Sequence, residues 1–346
     1  MATKKKTKKS KLQLVKGMKD ILPDEQKYWD LIRDKVDNFA HNYGFSRIDT
    51  PIVESTNLFK RSVGEDTDIV SKEMFSFETP GKDKVSLRPE GTAGVVRSYI
   101  EHGMLTMPQP VKLFYMGPNF RYDKPQAGRY RQFWQFGFES IGDDDPVIDA
   151  QLIIISYQIL RELGLDIEIQ INSIGDAECR PQYIKAIKQY YQTNKNDLCS
   201  ECSKRLLKNP LRLLDCKVKG CNELAESAPQ MVDYLDDDCK NHFMSVLEYL
   251  DELDVKYNLN HRIVRGLDYY SKTAWEIIET DESGKLHALG GGGRYDELVH
   301  TLGGRPTPAV GFAIGIERVI IKMQEKKVEV SKRKGYDIFI AQLGIE

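Results

Sequence analysis

Three arginines crowd one short stretch. Arg121, Arg129 and Arg131 fall within eleven residues of FRYDKPQAGRYRQFWQFGFE, residues 120–139. A guanidinium keeps its charge and grips phosphate oxygens two at a time, so this density suits a polyphosphate. A solvated basic hairpin is the competing reading. Side chains alternate along a strand, which predicts Arg131, Phe133, Gln135, Gly137 and Glu139 on one face, with Gln135 and Glu139 beside Arg131. A second group, RGLDYY at 265–270, sets Arg265 and a carboxylate next to Tyr269 and Tyr270. Such a set could hold an amphipathic aromatic substrate, or could form a surface hairpin. A third, LGGGGRYDEL at 289–298, lets backbone approach a ligand closely. It lacks the Gly-Lys-Ser/Thr ending of a phosphate-binding loop and the spacing of a dinucleotide fingerprint. By itself it predicts a tight turn into a helix starting at Arg294. The fourth, AVGFAIGIER at 309–318, predicts a small-residue strand running into a helix that carries Arg318. A structural arginine paired with Glu317 is the alternative there.

Cys199, Cys202, Cys216 and Cys221 have the spacing C-x2-C-x13-C-x4-C. Thiolates so placed can form a tetrahedral zinc site. Buried or free thiols are the alternative, since the four-residue gap is unusual for a zinc ribbon. Six cysteines in 346 residues do not suggest an oxidised scaffold.

The elements that must position these groups follow from pattern. Asp24 to Tyr43 predicts a helix, with Tyr28, Ile32, Val36, Phe39 and Tyr43 on one face and Gly44 as the stop. Phe45 to Val53 predicts an extended segment at an edge or interface, because Pro51 cannot donate to a ladder. Residues 72–79 and 84–88 predict a strand pair around Pro80-Gly81, and Gly91 to Gly103 a helix. Strands are expected at Val111–Met116 and Gln132–Ile141. A helix is expected at Pro146–Leu163, capped by Asp145, followed by a strand through Ile167, Ile169 and Ile171. Residues 176–260 are polar and helical in pattern, and predict an inserted subdomain. Strands resume at His261, Thr273 and Lys285. Short strands at hairpin spacing with flanking helices give the fold class α+β: an antiparallel sheet backed by helices, not a parallel βαβ sheet.

Composition sets the limits. Residues 1–11 hold six of the 50 lysines and arginines and no acid, leaving 44 against 52 acidic residues in the rest. A disordered basic tail on an acidic body is expected. Overall charge does not mark a nucleic-acid binder, so any RNA site must be a local patch. No apolar run approaches the ~18 residues that would span a bilayer. No signal peptide stands behind Met1. A cytoplasmic protein without a membrane partner is the expectation.

Taken in order, the clusters closely resemble class II aminoacyl-tRNA synthetases. GFSRIDTPIVE (44–54) is similar to motif 1, residues 120–139 to motif 2, and AVGFAIGIER to motif 3. RGLDYYSKTAWE (265–276), GGGGRYDEL (290–298), GMKDILP (17–23) and LRPEGT (87–92) resemble peptides of the histidyl-tRNA synthetase family. The resemblance covers about residues 12–346.

It implies L-histidine, ATP with Mg2+, and tRNA(His) as substrates and partners of a homodimer joined through motif 1. It implies Arg265 and Arg121 as catalytic residues, with Arg121, Arg129, Arg131 and Arg318 at ATP. Glu90, Gly91, Thr92, Gln135, Glu139, Tyr269, Tyr270 and Tyr295 would bind histidine. Residues 12–175 and 261–324 would form the catalytic domain around the insertion at 176–260. Residues 325–335 would be a linker, and 336–346 the first strand of an anticodon-binding domain otherwise missing. Paralogues that regulate ATP phosphoribosyltransferase or sense uncharged tRNA are the rival reading. They usually lose a signature peptide, whereas Arg265, Tyr269, Tyr270, Arg294 and Tyr295 all stand here.

Overall fold

The computed structural model describes residues 11–65, 67–281 and 284–330, and beyond them only Ile338, Ile340, Ala341 and Gly344. Most of the expected tail, part of the linker and most of the expected last strand lie outside the described residues.

Gln26–Asn42 (α1) follows a 3-10 turn at Pro23–Glu25. Its buried residues Trp29, Ile32, Val36, Phe39 and Ala40 recur at helical spacing, and Gly44, at φ +73°, turns the chain away. Trp29 takes the place expected of Tyr28, meeting Trp134 edge-on at 5.7 Å. Ser46–Arg47 (β1) and Val53–Ser55 (β2) replace the single expected segment, with Pro51 in the link between them. Thr56–Val63 (α2) comes next. Ile69–Glu73 then winds into a π turn that packs Ile69 against Leu58, Phe59 and Val63. The strand expected from 72 therefore starts later, as Ser76–Glu78 (β3), and pairs with Lys84–Leu87 (β4).

Thr92–Glu101 (α3), Val111–Phe120 (β5), Gln132–Ile141 (β6), Pro146–Glu162 (α4) and Ile167–Ser173 (β7) follow as expected. The Asp145 carboxylate caps α4 by accepting from the Val147 N–H at 2.9 Å. Arg180–Thr193 (α5), Ser200–Lys208 (α6), Lys219–Glu226 (α7) and Asp237–Glu252 (α8) come from the helical region. The chain ends its described course with Tyr257–Leu259 (β8), Ser271–Thr280 (β9), Leu286–Arg294 (β10), Leu298–Thr301 (α9), Ala309–Gly315 (β11) and Ile316–Glu325 (α10).

Among the described residues the main sheet runs β1-β5-β6-β11-β10-β9-β7-β8, and β2-β4-β3 form a small second sheet. All inner pairs are antiparallel; β1 lies parallel to β5, and β8 to β7. Each outer strand is joined to its partner by a long connection, as parallel pairing requires.

Alternation gives the sheet two unlike faces. Phe136, Phe138, Phe312, Ile314, Trp275 and Ile277 point to one side, where α1, α4, α8 and α10 cover them. Burying each large side chain contributes about 1.5–3 kcal/mol. The opposite side of β6 and β11 carries Gln135, Gly137, Glu139, Gly311, Ala313 and Gly315, and a cleft opens there.

Three expectations need correction. The region 176–260 does not pack as one unit. Phe243, Val246, Leu247 and Leu250 of α8 join the main core, and β8 joins the main sheet; a separate small core spans Cys179 to Cys239. Polar surface residues on α8 hid its apolar face from a reading by composition. No strand starts at His261, where the chain loops until Ser271. The four glycines form no turn but lie inside β10, paired with both β9 and β11.

Candidate active site

The glycines of β10 make a floor that side chains from other elements can cross. A Cβ on Gly291 would strike Arg265 Nη1 at 2.7 Å, and one on Gly293 would strike the Tyr270 ring at 2.6 Å. Backbone and absent side chains thus create room where β-branched residues would fill it. The cleft above encloses about 430 Å³, within the range of small-molecule sites.

One end is a closed polar pocket. Glu90 sits just before α3, and its carboxylate accepts from the N–H groups of Thr92 (2.7 Å) and Ala93 (3.0 Å). Glu139 projects from β6 and is fully buried. It accepts from Thr92 Oγ1 at 2.7 Å and from the Tyr295 hydroxyl at 2.5 Å. Burial raises its pKa to about 8, against the pull of those two hydrogen bonds. Burial also raises Glu90, opposed by the two N–H donors. Tyr269, Tyr270 and Tyr295 cluster with ring centroids 4.6–6.5 Å apart. Burial keeps all three protonated by raising their pKa values. Gln135, at the pocket's edge, accepts from Asn119 Nδ2 at 2.8 Å. Gly91 admits the Tyr115 ring, whose buried hydroxyl has no hydrogen-bond partner.

The other end is cationic. Arg121, Arg129, Arg265 and Arg318 all line it. Arg121 Nε donates to the Pro89 carbonyl at 2.9 Å while its guanidinium lies over Phe133. Arg318, on α10, donates to the carbonyls of Gly128 (3.2 Å) and Ala288 (2.5 Å). Burial lowers the pKa of Arg121 and Arg318, and the like charges of Arg129 and Arg121 add to the effect at Arg318. Arg265 bonds Glu276 at 2.9 Å, but its buried Nε has no partner. Fixed cations whose buried N–H groups lack full partners are prepared for an anionic ligand.

The structure therefore brings Arg121, Arg129, Arg265, Arg318, Glu90, Gly91, Thr92, Gln135, Tyr269 and Tyr270 to one cleft, with Glu139 and Tyr295 directly behind it. Arg131 is not brought there. Its guanidinium stacks on Tyr122 at 3.6 Å and donates to the Lys16 carbonyl at 3.1 Å, tying down the segment before α1. β6 begins only at Gln132, so the alternation that placed Arg131 with Gln135 does not extend to it. Reading from sequence missed Tyr115, Glu73 and Arg212, all on the cleft wall, where Phe133 also lies as alternation predicted. Tyr115 was readable from β5 alternation; Arg212 was not, because it comes from the helical insertion.

No described helix is long and apolar enough to cross a membrane. The histidyl-tRNA synthetase family model matches residues 17–319. A histidine–tRNA ligase of Dehalococcoides mccartyi is 50% identical over 333 residues, 96% of this chain and 79% of that protein. One from Desulforamulus reducens is 46% identical over 330 residues, 95% of this chain and 78% of that protein. Apo histidyl-tRNA synthetase of S. aureus superposes with a TM-score of 0.79 at 37% identity, covering 97% of this chain and 79% of that one. A Bacillus halodurans protein described as an ATP phosphoribosyltransferase regulatory subunit/histidyl-tRNA synthetase shares the fold at 21% identity and a TM-score of 0.67, covering 91% of this chain and 84% of that one.

Proposed function

Since the chain belongs to the histidyl-tRNA synthetase family, we propose that its cleft joins L-histidine to ATP, with the tyrosine–carboxylate pocket holding the amino acid and the arginine wall holding the phosphates. The enzyme is a class II histidine–tRNA ligase, which activates histidine and passes it to tRNA(His). The observation that carries the site assignment is the division of one cleft into a buried polar pocket and a wall of five arginines, Arg121, Arg129, Arg212, Arg265 and Arg318.

The chemistry follows from that division. A histidine carboxylate oxygen attacks the α-phosphorus, the bond to the β-phosphate oxygen breaks, and pyrophosphate leaves. The nucleophile is ionised at neutral pH, so no general base is needed. The demands are alignment and neutralisation of charge on the α-phosphate. Arg265 and Arg121 serve those oxygens, and Arg318 and Arg129 the outer phosphates. In the second step the 3′-hydroxyl of tRNA attacks the acyl carbon and AMP leaves. Glu90 and Thr92 suit the α-ammonium; Glu139, Tyr270 and Tyr295 suit the imidazole, and Gln135 the amino acid at their edge. A pocket that reads both ring nitrogens rejects analogues by ~10⁴ or more. Magnesium bound to the nucleotide would supply further neutralisation of the phosphates. Glu73, a cleft-wall carboxylate, fits as an oxygen donor beside the phosphates.

The segment 44–54, with β1 at the sheet edge and Ile52 and Val53 exposed, supports a homodimer through that face. A cytoplasmic setting accords with this reading. Histidine-dependent exchange of pyrophosphate into ATP tests the assignment. Exchange that saturates with histidine is expected. Its absence from folded protein would favour the regulatory paralogues.

A further inference from the structure

The helical insertion has a weak core of its own. Of fourteen buried residues in it, five are cysteines, and the rest include only a few large aliphatic side chains. Small units of this kind are commonly held by a metal or disulfides. Cys199, Cys202, Cys216 and Cys221 come from three places: the start of α6, the turn after the 3-10 segment Pro210–Leu213, and α7. Their Sγ atoms all lie within 4.8 Å of one another. Cys199 and Cys216 sulfurs are 4.0 Å apart, far beyond a disulfide bond and close to the edge of a tetrahedron with metal–sulfur bonds of about 2.3 Å. Two of the sulfurs already accept backbone N–H groups, Cys199 from Cys202 at 3.4 Å and Cys221 from Cys199 at 3.2 Å. Such donors stabilise thiolate over thiol, as metal ligands require.

We propose that Cys199, Cys202, Cys216 and Cys221 bind one structural zinc ion. Four protein sulfurs close the coordination shell, so the ion's work is mechanical and not catalytic. What it holds is chemically placed. Between Cys202 and Cys216 the chain carries Arg205 and Arg212. Arg205 pairs with Asp68 of the cleft wall at 2.8 Å, and Arg212 donates to the Arg265 carbonyl at 3.3 Å. The zinc thus pins the insertion against the loop that presents Arg265. A second group, Asp176, Cys179, Asp236 and Cys239, is equally compact. Its ligand set, however, pairs two hard carboxylates with two thiols, a poorer match to a closed thiolate site. It serves as the internal control.

The test is elemental analysis of the full chain purified without added zinc, alongside Cys216→Ser, Cys221→Ser and Cys239→Ser. About one zinc per chain is expected in the wild type and in Cys239→Ser, with loss from the other two variants. Because a variant could lose zinc by unfolding, the wild-type protein is also substituted with cobalt. Visible bands of tetrahedral tetrathiolate cobalt are expected, together with protection of four thiols from a thiol reagent. Wild-type protein with negligible zinc, and no such bands on cobalt addition, would overturn the proposal. So would a pair of disulfides among the four residues, or loss of zinc in Cys239→Ser with retention in Cys216→Ser.

Discussion

Arg265 and Arg294 each come from a histidine-signature peptide, yet their surroundings are opposite: Arg294 is fully buried, Arg265 only partly. Arg294, at the end of β10, is enclosed by acceptors. It is paired with Asp149 of α4 and Asp296, and donates to the carbonyls of Asp143 and Asp145. Burial alone would lower its pKa, but Asp149 and Asp296 together raise it. Asp149 also bonds His242 at 3.3 Å. Arg265 has one carboxylate partner and an unpartnered Nε, and it shares its cleft with four further arginines. A completed network fixes structure, whereas an unpartnered donor on a cleft wall leaves a hydrogen bond to be made. Signature-peptide membership alone could not separate the two.

Breaking the completed side has the largest expected effect. Arg294→Met leaves Asp149 as a buried, undercompensated charge and is expected to cost about 3–5 kcal/mol of stability. Urea denaturation measures it; a loss below about 1 kcal/mol would show that the network is not structural.

Within the pocket, Glu139 is a buried carboxyl with no cation paired to it among the described residues. Its folded pKa of about 8 lies above the ordinary 4.5. Between those values the folded chain binds more protons than the unfolded chain, so this group's contribution falls as pH rises through the window. The slope is at most about 1.4 kcal/mol per pH unit. Glu139→Gln should flatten the decline in urea midpoint from about pH 5 to about pH 8. Identical slopes in the two proteins would remove the raised carboxyl from the account.

Arg131→Ala has the smallest expected effect. It loses the stack on Tyr122, worth about 1 kcal/mol at a partly exposed site, and should leave the KM for ATP unchanged. An increase of about tenfold would place Arg131 at the nucleotide after all.

Much of this arrangement was legible in the sequence. Alternation placed Gln135 and Glu139 on one face of β6, and helical spacing placed the buried stripe of α1. The resemblance added the roles. Three features were hidden for physical reasons. Glycines read as turn formers because local sequence does not show that neighbouring strands crowd both sides of β10. Arg131 fell one residue outside the strand whose period was used to orient it. Arg212 reaches the cleft only through tertiary packing of the insertion, which no local period encodes.

Arg265 is the residue proposed to meet the charge that develops on the α-phosphate. Histidine-dependent ATP–pyrophosphate exchange by Arg265→Ala, with its urea midpoint measured alongside, tests it most directly. The predicted result is a fall of about 10²–10³ in exchange rate with little change in midpoint. A folded Arg265→Ala protein that exchanges at the wild-type rate would contradict it.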